Sequence, residues 1–86
     1  MMTKETIRAL IAARIDCAEI DVRGDDGAHF EATIVSDAFD GKSRIARHQI
    51  VYAALGDAMR EAIHALSLKT YTPNEYLAVE GGAVGG

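Results

Sequence analysis

Two histidines stand at the starts of segments that read as β-strands, and imidazole has the widest chemical use of any side chain in this sequence. His29 opens "HFEATIVS" after a turn rich in glycine and aspartate, and His64 lies in "IHALSLKT". Histidine titrates near neutral pH and is a common metal ligand, so each could act as an acid, a base or a ligand. From spacing alone, two histidines that cap strand ends remain the simpler interpretation.

The other reactive side chains lack the neighbours that catalysis requires. Cys17 is the single cysteine, with no CxxC or Cys/His motif around it, and is expected to behave as a small buried hydrophobe. No serine lies in a nucleophile-elbow motif, and no carboxylate pair is set in an apolar context. A chain of 86 residues also leaves little room for a substrate pocket. The sequence predicts that the protein is not an enzyme.

The basic run "KSRIARH" indicates a different chemistry, because it lies where a helix is expected to begin. The helix dipole disfavours cations at that end, so this placement suggests an acidic partner or a phosphate. The run lacks a GxxG motif, and three or four cations give only weak, salt-sensitive binding to nucleic acid. A solvated face paired with Asp37 and Asp40 is the competing interpretation. The candidate nucleic-acid contacts are Lys42, Arg44, Arg47 and Lys69.

Composition limits the class of protein. Apolar residues make up 49% of the chain and the formal net charge is −4, which argues against nonspecific binding to nucleic acid or to an anionic membrane. No apolar run approaches the ~20 residues of a membrane span, and the N-terminus does not resemble a signal peptide. One cysteine suits a reducing compartment. We expect a single cytoplasmic domain over residues 1–78, with 79–86 as a flexible Gly-rich tail.

The apolar periodicity predicts the elements that position these residues. Thr3 and Ser43 are expected helix caps, and Thr72, Pro73 and Glu75 form a capping-box pattern. "GDDG" predicts a tight hairpin. The predicted elements are a helix over 3–15, strands over 18–23 and 29–36, a helical region over 44–62 broken near Gly56, a strand over 63–70 and a helix from 72 onward.

This order, α-β-β-α-α-β-α, predicts the topology of the sheet. The first two strands must be antiparallel, whereas the helical crossover makes the second and third parallel. If those two are neighbours, His29 and His64 begin adjacent strands at the same edge, with the strands ~4.8 Å apart. Strict alternation places His64 on the apolar face with Leu66 and Leu68, and His29 away from it. The imidazoles therefore need the bending of strand ends to converge.

Residues 24–74 resemble the BolA-like proteins. The similarity rests on "HFEATIVSDAF", "GKSRIARHQIVYAAL" and "IHALSLKTYTP", in that order and at family-like spacing. The resemblance implies an α+β fold like the class II KH domain, with a three-stranded mixed sheet packed against helices. It also implies partnership with a monothiol (CGFS-type) glutaredoxin, often across a shared [2Fe-2S] cluster, and in some members transcriptional control or stress responses.

The resemblance also implies which residues bind the cluster. The histidine of the "HA" pair at the last strand is the family's cluster ligand, and here it is His64. A second ligand usually comes from a Cys or His in the loop between the first two strands. This loop, "GDDGA", holds neither, so the ligand expected by position is His29 or a loop carboxylate.

Two functions follow as hypotheses. The first is an adaptor that docks on a monothiol glutaredoxin, with thiolates from that protein and from glutathione completing a [2Fe-2S] cluster held by His64 and His29. The expected docking surface is the C-terminal side of the long helical region together with "HALSLKTYTP". The alternative is a nucleic-acid-binding transcriptional regulator using the basic segment 42–48. Alone, the protein is expected to be a monomer or a weak homodimer.

Overall fold

The computed structural model describes residues 3–24, 29–59 and 65–85. It confirms the α+β class, with three helices and a three-stranded mixed sheet. The likeness to the class II KH domain stays a prediction. The elements are α1 (Lys4–Arg14), β1 (Glu19–Arg23), β2 (Phe30–Val35), α2 (Arg44–Leu55), β3 (Leu66–Tyr71) and α3 (Pro73–Gly85).

The sheet has the order β1-β2-β3, so β2 is central. β1 and β2 are antiparallel, with Val22 opposite Ala32. β2 and β3 are parallel, in a register that runs from the pair Phe30–Leu66 to the pair Val35–Tyr71. Both predictions of strand direction are therefore confirmed, and β2 and β3 begin at the same edge of the sheet.

The core lies between the sheet and the helices. On β2, Phe30, Ala32 and Ile34 are buried, which confirms the apolar face predicted from alternation. Ile7 and Ile11 of α1 are fully buried against the same core. Burial of side chains of this size contributes roughly 1.5–3 kcal/mol each, so this packing is the main stabilising contribution.

The segment 36–43, predicted as a loop, contains structure that the sequence pattern did not reveal. Asp37–Phe39 form a short 3-10 helix, and the Phe39 side chain is fully buried. Ser36 is also fully buried. Its hydroxyl donates to the Asp16 carbonyl (2.7 Å) and accepts from the Ala38 N–H (3.1 Å), so it ties the end of β2 to the connection between α1 and β1.

The predicted caps are confirmed for all three helices. The Thr6 N–H donates to Thr3 Oγ1, and the Ala46 N–H donates to Ser43 Oγ. The α3 cap is a reciprocal capping box: the Thr72 N–H donates to the Glu75 carboxylate (2.8 Å) and the Glu75 N–H donates to Thr72 Oγ1 (3.2 Å). These local signals explain why the starts of the helices were predictable.

The central helical region breaks at Gly56, as predicted. α2 stops at Leu55 because Gly56 adopts φ +58°, which favours glycine. The predicted second helix is represented, within the described residues, by a 3-10 helix over Gly56–Met59. Residues 60–64 lie outside the described part of the chain, and they include His64 and the expected start of the third strand.

At the C-terminus, α3 extends through Gly85. Residues 79–85 are therefore helical, within the segment 79–86 that the sequence predicted to be a flexible Gly-rich tail. The capping box of Thr72 and Glu75 starts this helix. The domain boundary at 78 and the flexibility of the segment stay predictions.

In the part of the chain described here, no helix is both long enough and apolar enough to span a bilayer.

Candidate functional site

His29 lies at the edge of the sheet where β2 and β3 both begin. Its side chain is exposed, whereas the next residue, Phe30, is buried, so His29 faces away from the core as alternation predicted. An open concavity at this edge is contributed by β1, β2 and the start of β3. It is lined by Arg23, Gly24, His29, Phe30, Glu31, Ala65 and Ser67.

The start of β3 comes next to His29 through the register of the strands. Phe30 pairs with Leu66, and both His29 and Ala65 line the same concavity. His64 is bonded to Ala65 in the sequence but lies outside the described residues. The edge predicted to hold the two histidines is therefore described as far as residue 65, and convergence of the imidazoles stays a prediction.

Backbone packing at this edge is tight around Gly24. A Cβ atom added there would lie 2.5 Å from Cδ1 of Phe30 and 2.7 Å from the carbonyl oxygen of His29. Real Cβ contacts are never that short, so residue 24 has to be glycine in this conformation. Gly24 and His29 flank the connection between β1 and β2, which lies outside the described residues, and their close approach fixes where the chain re-enters the sheet.

The opposite end of β3 forms a groove with the first half of α2 and with α3. Two adjoining concavities share Arg44, Thr70 and Tyr71 as a common wall. We call their union the cationic groove. Its lining residues are Lys42, Arg44, Arg47, His48, Leu68, Lys69, Thr70, Tyr71, Glu75, Ala78 and Val79. All four predicted nucleic-acid contacts are among them, so the structure brings these residues together.

The four cations differ in how strongly they are engaged. Arg47 donates to both carboxylate oxygens of Glu75 (2.6 and 3.1 Å) and to the carbonyl oxygens of Lys42 (2.9 Å) and Thr70 (3.4 Å). Its side chain is only 12% exposed. Arg47 therefore has a structural role, and its pairing with Glu75 replaces the pairing with Asp37 or Asp40 suggested by sequence.

Lys42, Arg44 and Lys69 are exposed. Lys69 is also paired with Glu31 on β2 at 3.2 Å, an exposed contact of the kind that contributes little to stability. No ion pair of Lys42 or Arg44 is present in the described part of the chain. These two cations are the ones most available to a ligand in the groove.

The Arg47–Glu75 pair changes the electrostatics of the groove. Hydrogen bonds from Arg47, together with the Thr72 N–H, lower the pKa of Glu75 to about 2. Glu75 is the one carboxylate that lines the groove within the described residues, and Arg47 neutralises it. The remaining electrostatic field in the groove is positive, and this field would favour the binding of a phosphate or carboxylate ligand.

His48 lies in the wall of the groove and belongs to the basic segment 42–48, but it was not among the four nucleic-acid contacts predicted from sequence. Its ring meets Tyr52 edge to face, with ring centroids 6.4 Å apart. The Nε2 atom is buried and has no hydrogen-bond partner within the described structure. Burial and the nearby Arg44 charge both lower the pKa of His48. A histidine in a basic run is expected to be one more surface cation, so the burial of the Nε2 atom could not be predicted from the sequence.

Cys17 has the structural environment expected for it. It is half-buried and packs against the core, and its thiol donates to the Ile15 carbonyl at 3.3 Å. Burial, reinforced by the Asp16 charge, raises the pKa of the thiol. A raised pKa reduces the thiolate fraction, which is the form that binds metals and attacks electrophiles.

The described residues contain no group of three or more His, Cys, Asp or Glu side chains arranged to hold a metal ion. A [2Fe-2S] cluster needs four ligands to its two irons. An exposed imidazole at a sheet edge is compatible with one of those positions, provided that a partner supplies the others. His29 therefore fits a shared cluster and does not suffice for a cluster held by this chain alone.

Comparison with known proteins identifies relatives over most of the chain. The family model described as BolA-like protein matches residues 12–75. "Protein BOLA2" of Arabidopsis thaliana is 41% identical over 80 residues, covering 88% of this chain and 85% of that protein. The "DNA-binding transcriptional regulator BolA" of Vibrio cholerae is 43% identical over 49 residues, which are 57% of this chain and 46% of that protein.

A solved structure agrees with the fold as well. The structure of a bolA protein homologue from Coxiella burnetii superposes with a TM-score of 0.76 at 44% sequence identity. The match covers 88% of this chain and 97% of the other. The similarity thus extends over the helices and the sheet and is not confined to the matching motifs.

Proposed function

The chain belongs to the BolA-like family, and from that premise we propose that it is a non-enzymatic cytoplasmic adaptor that partners a monothiol glutaredoxin and shares a [2Fe-2S] cluster with it. His29 and His64 are the proposed ligands from this chain. Cysteine thiolates of the glutaredoxin and of glutathione are the proposed remaining ligands.

The observation that supports this proposal is the composition of the edge at His29. An exposed imidazole lines an open concavity together with Ala65, the residue that follows His64 in sequence. A parallel register from Phe30–Leu66 onward makes this the edge at which both strands begin. A partner that carries thiolates can reach such an edge from solvent.

The experiment mixes the purified protein with a monothiol glutaredoxin, ferrous iron, sulfide and glutathione under anaerobic conditions. We expect a heterodimer whose visible absorption and circular dichroism differ from those of the glutaredoxin alone. Imidazole ligation raises the reduction potential of a [2Fe-2S] cluster relative to all-thiolate ligation, so the heterodimer should also be easier to reduce.

Single substitutions assign the ligands. His64→Ala should abolish the heterodimer spectrum, and His29→Ala should shift it, because each removes one proposed ligand. Cys17→Ser is the matched control and should leave the spectrum unchanged, since its thiol is half-buried and protonated. A His64→Ala spectrum identical to that of the unmodified protein would show that the ligand assignment is wrong.

A nucleic-acid-binding regulator is the second candidate, and the cationic groove favours it. A relative carries a name that includes DNA binding, and in this chain Lys42 and Arg44 lie exposed in a groove whose carboxylate is neutralised. The affinity for single-stranded DNA should fall steeply with salt, because each neutralised phosphate releases counterions.

The double variant Lys42→Gln/Arg44→Gln tests this candidate. It should weaken DNA binding, because two phosphate contacts are lost. The slope of log affinity against log salt concentration should become less steep by roughly 1.4 for a single strand, or about 0.7 for each contact. Arg14→Gln, a single charge change at the end of α1, serves as the control. Equal slopes for the double variant and for the control would exclude the groove as the DNA-binding surface.

A further inference from the structure

His48 is a half-buried ionisable group that neither proposed function assigns as a contact. Together with Arg44 it lines one half of the cationic groove, where β3 contributes Leu68, Lys69 and Tyr71. Its Nε2 atom is screened from solvent and has no partner in the described structure. Buried polar atoms without a partner are uncommon in native proteins, so this one calls for an explanation.

The residues that line this concavity with His48 are cationic or uncharged. On its own helix, the charge of Arg44 lies one turn away and the Tyr52 ring is edge-on. From β3, Lys69 and Tyr71 line the same concavity. From α1, which packs on α2, the buried residues Ile7 and Ile11 are apolar. The carboxylate of Glu75 belongs to the adjoining half of the groove and is held by Arg47.

This arrangement makes the charge state of His48 depend on what occupies the groove. Without a ligand, protonation would place a half-buried cation beside Arg44 and leave the buried Nε2–H with no acceptor, so the neutral ring is favoured. An anion bound by Lys42 and Arg44 would offset the positive field that opposes protonation. The two events therefore favour each other.

We propose that the cationic groove is a binding site for phosphate groups and that protonation of His48 tightens the binding. The proposal rests on the nucleic-acid candidate for its macromolecular ligand and adds a regulatory group to the same groove. His48 is assigned an effect through its charge, and its Nε2 atom, which is shielded from solvent, is assigned no ligand contact. Lys42 and Arg44 provide the direct contacts.

Thermodynamic linkage relates the gain in binding affinity to the change in the pKa of His48. If binding of a phosphate group raises the pKa of His48 by one unit, protonated protein must bind that group about tenfold more tightly than neutral protein. Binding should therefore strengthen as the pH falls from 7.5 to 5.5, and the gain should disappear when residue 48 cannot titrate.

The experiment uses two probes that do not titrate in this range. Inorganic sulfate represents an isolated tetrahedral anion, and a ten-residue oligothymidylate represents a nucleic-acid backbone. Dissociation constants are measured at pH 7.5 and 5.5 for the unmodified protein, His48→Gln, Arg44→Gln and the remote control Arg14→Gln. In the unmodified protein, the imidazole resonances of His48 are also titrated by NMR with and without sulfate.

The expected result is a severalfold tighter dissociation constant at pH 5.5 for the unmodified protein and for Arg14→Gln. That gain should be absent in His48→Gln, and Arg44→Gln should weaken binding at both pH values. Sulfate should raise the pKa of His48. The NMR titration needs no variant, so the proposal can be tested even if His48→Gln folds poorly.

The outcomes separate this inference from the candidate function. Equal pH dependence in His48→Gln and unmodified protein, or a pKa of His48 that sulfate does not change, would overturn the role of His48 even where DNA binds. Sulfate binding with the expected pH dependence but no oligothymidylate binding would support the phosphate site and exclude the nucleic-acid function. Absence of binding by both probes would overturn both.

Discussion

Among individual residues, Glu75 connects α2 and α3 through more hydrogen bonds to its side chain than any other carboxylate in the described residues forms. It accepts from the Thr72 N–H in the capping box of α3 and pairs with both terminal nitrogens of Arg47 on α2. The first turn of α2 contains no acidic residue, so its basic residues oppose the helix dipole. Glu75 supplies from α3 the negative charge that the start of α2 lacks.

The pairing predicts an acid-dependent stability. The pKa of Glu75 is lowered from 4.5 to about 2 by its hydrogen bonds. A group with a depressed pKa in the folded state stabilises above its unfolded value, and that contribution is lost as the pH falls. We expect the loss between pH 4.5 and about 2, and we expect Glu75→Gln to reduce it.

Urea denaturation at pH 7, 4.5 and 3 measures this dependence. Glu19→Gln is the control, because Glu19 is an exposed carboxylate on β1 that forms no ion pair in the described residues. If Glu75→Gln and unmodified protein lost stability in parallel across this range, the lowered pKa of Glu75 would be refuted.

Gly24 carries a second prediction for a single residue. Gly24→Ala places a methyl group within 2.7 Å of the His29 carbonyl oxygen, which is backbone and cannot rotate away. We expect a loss of about 1–3 kcal/mol in the free energy of unfolding, as for other overpacked positions. The amide resonances of His29 and Phe30 should shift. An unchanged urea midpoint would mean that this edge is looser than described.

At the level of elements, Ser36 follows β2 and connects two other segments through its hydroxyl. The hydroxyl bonds to the 3-10 helix after β2 and to the connection from α1 to β1. Ser36→Ala removes one donor and one acceptor from a fully buried position. Loss of such a group leaves its partners unsatisfied, at a cost of about 1–3 kcal/mol. Ser67→Ala, exposed on β3, should change stability by less than ~0.5 kcal/mol. Similar thermal midpoints for the two variants would contradict this role of Ser36.

Elements with local signals were predictable from the sequence. The capping box of Thr72 and Glu75 spans three residues, and the alternation of Phe30, Ala32 and Ile34 reports one strand face, so neither depends on distant parts of the chain. Phe39 was not predicted as core. Its burial depends on how the 3-10 helix packs against the other elements, and a short loop sequence does not contain that information.

The candidate site was predictable in part for the same reason. The parallel register could be derived from the crossover rule, which places His29 beside the start of β3. The Arg47–Glu75 pair joins residues 28 positions apart and could not be derived from spacing. The burial of Nε2 of His48 likewise depends on α2 packing against β3, and a basic run on one helix gives no sign of it.

For the molecule as a whole, the two candidate surfaces lie at opposite ends of one strand. The concavity at His29 involves Ala65 and Ser67, whereas the cationic groove involves Leu68 to Tyr71. The register from Phe30–Leu66 to Val35–Tyr71 spans five residue steps, or about 17 Å. Lys69 of the groove pairs with Glu31 of the His29 concavity at 3.2 Å, but this contact is exposed and contributes little, so substitutions at His29 and Arg44 are expected to act independently.

A double-mutant cycle tests that independence. His29→Ala should alter cluster assembly with a glutaredoxin and leave sulfate binding unchanged, whereas Arg44→Gln should do the reverse. The double variant should show the sum of the single effects within ~0.5 kcal/mol for each readout. A coupling well above that would indicate that the two surfaces communicate.

The position of β3 in the sheet has a consequence for biosynthesis. The central strand β2 needs β3 on one side, yet β3 begins only after the thirty intervening residues 36–65, which include α2. While the chain is emerging from the ribosome, "FEATIV" is therefore exposed along one unpaired edge until residue 71 has been made. Nascent chains stalled before that point should aggregate or recruit chaperones, whereas chains released after it should not.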